Sequence, residues 1–135
     1  MSPFIRRAAR GTLILAGISA CSDGDAPSAP VPCTETVTMK VTLPNNIPRF
    51  DWTPRCGVSL LQVASGPSIQ GFWSWEIEAE SPTILPPITL NVAPNGVQST
   101  GGVDLRSGLA YRVDLFVNTP GRPPSWLGSS GWTQP

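Results

Sequence analysis

The chain has 135 residues, nine basic and nine acidic side chains, and no histidine. Without an imidazole base, Ser-His-Asp and Cys-His nucleophilic catalysis are excluded. Arg6, Arg7 and Arg10 lie in the first ten positions, so residues 21–135 keep six basic against nine acidic groups, a net of −3; they carry no basic footprint for nucleic acid or an anionic surface.

In chain order, the basic opening leads into an apolar run from Gly11 to Ala20 that closes on small residues. That sequence of regions reads as a secretory signal peptide over residues 1–20, since a membrane span needs about 20 apolar residues, twice what is present. The tetrad Ile18-Ser19-Ala20-Cys21 resembles the lipobox of bacterial lipoproteins. The resemblance implies cleavage before Cys21 and lipidation of that residue by several acyl chains. The membrane is then a partner through Cys21, and each buried methylene contributes about 0.8 kcal/mol. Ser22, where an aspartate would favour inner-membrane retention, leans the expected location toward the outer membrane of the cell envelope. Arg6-Arg7 evokes twin-arginine export, but Ala8-Ala9 stand where that signal wants bulky apolar residues.

Residues 21–33 read as a flexible, lipid-anchored tether, because the Ser, Asp, Ala and Pro of Ser22 to Pro32 bury too little apolar area to fold. At about 3.1 Å per residue this stretch reaches about 30 Å. With Cys21 acylated, Cys33 and Cys56 remain. An exported, oxidising compartment favours a disulfide between them, worth about 3 kcal/mol in the chain-entropy account. Two free thiols or half a metal site are the rival readings, the latter weakened by the lack of histidine and of a third thiol.

Sixteen prolines and thirteen glycines leave no room for a long helix. From Thr36 to Leu43, Val37, Met39, Val41 and Leu43 alternate with polar residues, the pattern of a half-buried strand. Pro44-Asn45-Asn46 then turns the chain. Phe50 and Trp52 share one face of the next short strand, and Val58 to Ala64 forms another with Leu61 and Val63 inward. Phe72 to Ala79 puts Trp73, Trp75, Ile77 and Ala79 on a core face opposite Ser74, Glu76 and Glu78. Pro82 and Pro86-Pro87 restrict the next segment to a bulged or edge element. Ile88 to Val92 is a short strand, Asn95-Gly96, Gly101-Gly102 and Gly128 belong to turns, and Leu109 to Val117 alternates cleanly around Tyr111. Trp126 and Trp132 lie in a last, irregular strand.

The expected fold is therefore all-β, an antiparallel immunoglobulin-like sandwich of about seven strands over residues 34–135. Pro48, Phe50, Trp52 and Pro54, the stretch Gly57 to Ala64, and Leu105 six residues before Tyr111 resemble bacterial fibronectin type III-like domains. The resemblance implies that Trp52 is the core tryptophan. It also implies that Leu105 and Tyr111 form a tyrosine corner, the hydroxyl bonding back to the backbone. The Cys33–Cys56 pair departs from that family and would clip the domain's entry to the loop after Trp52.

Glu76, Glu78 and Glu80 alternate on one strand, where carboxylates can ligate calcium or act as a glycosidase pair, or simply form a wet face. Lys40, the single lysine, sits mid-strand on a solvated face, a poor setting for a Ser–Lys pair. No phosphate loop, dinucleotide fingerprint or metal-ligand spacing occurs, so no cofactor is expected. Trp126 and Trp132 are the candidate ligand contacts, since exposed indoles stack on sugars or seat a protein. The loops Asn91 to Gly102 and Asn118 to Ser125 are the candidate recognition loops. The sequence thus leads to a non-catalytic envelope lipoprotein with a structural or binding role. A carbohydrate-binding module comes second, and an enzyme using Glu76, Glu78 or Asp104 third.

Overall fold

The computed structural model describes residues 28–66 and 73–135. The signal segment, Cys21, the first part of the tether and Phe72 lie outside the described residues. Eight strands follow in order: β1 Thr38–Thr42, β2 Arg49–Thr53, β3 Leu60–Ser65, β4 Trp75–Glu78, β5 Ile88–Thr89, β6 Gln98–Gly101, β7 Ala110–Val117 and β8 Ser125–Thr133. They pair antiparallel into two sheets, β1-β2-β5 and β6-β4-β3-β7-β8. The first, second and fifth strands thus oppose the third, seventh and eighth, which is the immunoglobulin-like partition.

Alternation builds the core between the sheets. Phe50 and Trp52 of β2 face Leu61, Val63, Trp75, Ile77, Val113 and Leu115 of the larger sheet, all buried. Trp132 of β8 stacks on Tyr111 at 5.2 Å between ring centroids and meets Phe50 at 5.5 Å, tilted. Such pairs contribute about 0.5–1.5 kcal/mol beyond the area they bury. The Trp52 indole N–H donates to the Cys56 carbonyl at 3.0 Å, which satisfies its one polar atom inside the core. At the start of β7 the Tyr111 hydroxyl accepts from the Arg106 N–H at 2.9 Å and donates to the Asp104 carbonyl at 3.3 Å. Leu105, half-buried, packs against the core beneath this loop.

The Cys33–Cys56 disulfide is formed, across 23 residues, with the Cα atoms 4.9 Å apart. Around it the entering chain pairs with the β2–β3 connection: the Cys33 N–H donates to Gly57 at 2.9 Å, and the Gly57 N–H to Val31 at 2.7 Å. The segment before β1 is thereby sewn to the loop after Trp52.

Three expectations need correction. Trp73 is not a core residue but is 37% exposed. The β3–β4 ladder begins at Val63↔Trp75, so Trp73 lies before the pleat that would have turned it inward. Gly101 does not sit in a turn; it ends β6 opposite Trp75 with a φ of 75°, and a Cβ there would collide with the Ser74 carbonyl oxygen. The loop Asn91 to Gly102 is accordingly in part a strand, β6, on the edge beside β4. Last, the Ile88 to Val92 strand stops at Thr89. Beyond it the Asn91 side-chain amide takes the place of a strand partner, exchanging two 2.9 Å hydrogen bonds with the Val103 backbone.

Candidate functional site

The last two strands carry the site. Along most of the β7–β8 ladder, inward residues face one another: Tyr111 pairs with Trp132, Val113 with Ser130 and Leu115 with Gly128. Between Leu115 and Phe116 the register shifts, and Phe116 pairs with Trp126. Leu127 is therefore an extra residue, a β-bulge, and a bulge re-aims the side chains beyond it. Leu127 stays buried, and its carbonyl accepts the Val37 N–H at 2.9 Å, closing the seam between the lead into β1 and β8.

Gly128, expected in a turn, lies instead within β8 opposite Leu115 and permits that closure. A Cβ there would lie 2.7 Å from the Val37 carbonyl oxygen. Past the bulge Trp126 points outward, 51% exposed, beside half-buried Phe116. Its indole N–H donates to Asp114 Oδ1 at 3.2 Å. That carboxylate is itself held by Arg112, whose Nε and Nη2 donate to Oδ1 at 3.1 and 2.7 Å. The ring is thus held by its polar edge while half of the residue stays open to solvent.

Trp126 forms the rim of a cleft of about 580 Å³ at the end of the sandwich where the chain enters. The disulfide-held lead, Cys33 to Thr36, and the β7–β8 loop residues Asn118 to Pro120 and Ser125 line it too. The volume lies in the usual range for a small-ligand site, about 300–1,000 Å³. Asn118 is anchored there, its N–H donating to Ser59 Oγ at 3.0 Å and its side-chain amide reaching Glu78 at 3.4 Å. Its Oδ1 is the one buried side-chain nitrogen or oxygen among the described residues without a partner.

The other candidates do not converge. Trp132, at 9% exposure inside the core, has no surface to offer a ligand; of the two tail tryptophans, Trp126 alone faces outward. Glu76 and Glu78 share the outer face of β4, but Glu80 lies past the strand's end. Their partners are amides rather than cations, Gln62 for Glu76 and Asn118 for Glu78. Among the described residues no three acidic, cysteine or histidine side chains are placed to hold a metal ion. Asp104 lines a separate cleft beside Tyr111, away from the one that Glu78 and Glu80 border. Lys40 is exposed on β1, paired in register with Asp51.

Asn118 opens a loop the sequence offered for recognition, but Asp114 and Glu35 were not singled out. No spacing announces that a bulge will bring Trp126 onto Asp114 or that Glu35 will line the same cleft. No protein-family model, curated protein or solved structure matches the chain.

Proposed function

We propose that this is a lipid-anchored protein of the bacterial cell envelope whose immunoglobulin-like sandwich serves as a binding module without catalytic chemistry. The observation that carries the binding part is Trp126, turned outward by a bulge and pinned by Asp114 at the rim of a cleft. An indole fixed in this way presents a large amphipathic contact area at little entropic cost, the property of interface anchors.

The anchor rests on the order of Arg6 to Cys21 and on Ser22, which favours the outer membrane. It is supported by the Cys33–Cys56 disulfide, since such bonds persist in exported rather than cytosolic proteins. A non-catalytic role fits the lack of histidine and the engagement of Glu76 and Glu78 by amides.

Intact-mass measurement of the protein taken from its own membranes tests the anchor. The expected species begins at Cys21 and carries the added mass of acyl chains. An uncut, unmodified N-terminus overturns it.

A further inference from the structure

We propose that the Trp126 cleft binds an uncharged or amino-sugar-containing glycan, stacked on the indole. This rests on the reading of the domain as a binding module and names its ligand class. Sugar rings present a flat face of C–H groups with hydroxyls around the edge. They therefore need one aromatic plane beside a rim of small donors and acceptors.

That is what surrounds Trp126. Thr34, Thr36, Thr119 and Ser125 supply hydroxyls around the cleft. The indole N–H is already taken by Asp114 at 3.2 Å, so the ring offers its π-face rather than a hydrogen-bond donor. The rest of the lining, Pro32, Cys33, Pro82, Val117, Pro120 and Leu127, is apolar and suits the C–H face of a sugar ring.

Charge narrows the class. Glu35 lines the cleft, Glu78 binds the cleft-lining Asn118, and Asp114 holds the ring. Two cations stand nearby: Arg112, committed to Asp114 at 2.7 Å, and Arg122 on the β7–β8 loop, whose backbone N–H donates to the cleft-lining Thr119 at 3.0 Å. Glu35 and Glu78 thus outnumber the single cation not committed to Asp114, which favours neutral, N-acetylated or amine-bearing residues over a polyanionic sugar.

Titration calorimetry on the full mature chain in detergent decides it, with three probes: N-acetylglucosamine oligomers, neutral glucan oligomers and polygalacturonate. The expected result is binding of at least one of the first two and none of the third. In Trp126→Ala the affinity falls at least about tenfold, with stability to urea nearly unchanged. Trp126→Phe keeps a ring and retains most of the binding. Asp114→Asn, which loosens the ring without removing it, weakens binding severalfold.

Binding that survives Trp126→Ala, binding confined to the polyanion, or no binding to any probe overturns the proposal. A photoreactive residue at position 126 in the living envelope then separates the two readings. In the absence of glycan binding, a protein adduct leaves the binding module standing and removes the glycan. No adduct of any kind removes both.

Discussion

Trp126 and Trp132 are six residues apart, so strict alternation along β8 would put both on one face. The Leu127 bulge separates them, one into the core and one into solvent. Their substitutions should therefore differ sharply. Trp132→Ala removes the ring that stacks on Tyr111 and Phe50, and should cost about 3–5 kcal/mol. Trp126→Ala removes an exposed ring and should change stability by less than about 1 kcal/mol. Urea unfolding of the two variants checks this; equal losses would mean that the bulge is misplaced. Tyr111→Phe is the finer case. It keeps the stack and deletes the hydroxyl, stranding the Arg106 N–H and the Asp104 carbonyl, with an expected cost of about 1–3 kcal/mol by the same measurement. The sequence pointed to Tyr111 because a fixed spacing from Leu105 carries that bond. It left Trp126 and Trp132 undecided because a bulge has no spacing of its own.

Strands written in alternating apolar and polar residues were legible: β1, β2 and β7 lie within the stretches expected for them, and β3 overruns its own by one residue, Ser65. The elements that were missed are held by hydrogen bonds rather than by burial. All four residues of β6 are exposed, so no periodicity betrays it; it exists because β4 offers an open edge and Ser99 accepts the Trp75 indole N–H at 3.0 Å. Trp73 misled for the opposite reason, since its sequence alternates while its backbone has not yet entered the ladder. The seam between the lead into β1 and β8 is likewise invisible in sequence, because it turns on the missing side chain of Gly128. Gly128→Ala should push the Val37 carbonyl away, break the Val37–Leu127 bond and destabilise by about 1–3 kcal/mol. Proton exchange at the Val37 amide should accelerate with it. Unchanged exchange in a stable Gly128→Ala protein would mean that the seam does not hold the bulge in place.

For the whole molecule, the disulfide, the cleft and the chain entry share one end. Cys33 lines the cleft, and residue 28 lies five positions before it, so a Cys21 anchor would place the recognition end toward the membrane on a tether of about 30 Å. Replacing Cys33 and Cys56 together by alanine should lower the unfolding free energy by about 3 kcal/mol. It should also free the Cys33 to Thr36 lining of the cleft, weakening any occupant more than the stability loss alone explains.

The anchor itself makes the sharper demand. No described helix is long and apolar enough to cross a membrane, and the net charge of −3 over residues 21–135 repels an anionic lipid surface. Acyl chains on Cys21 are then the one attachment proposed. Cys21→Ser should therefore move the exported protein entirely from the washed membrane fraction to the soluble one, with its disulfide and fold intact. Retention of that variant on membranes through a carbonate wash would show a second attachment and would sever the link between the lipid and the orientation of the cleft.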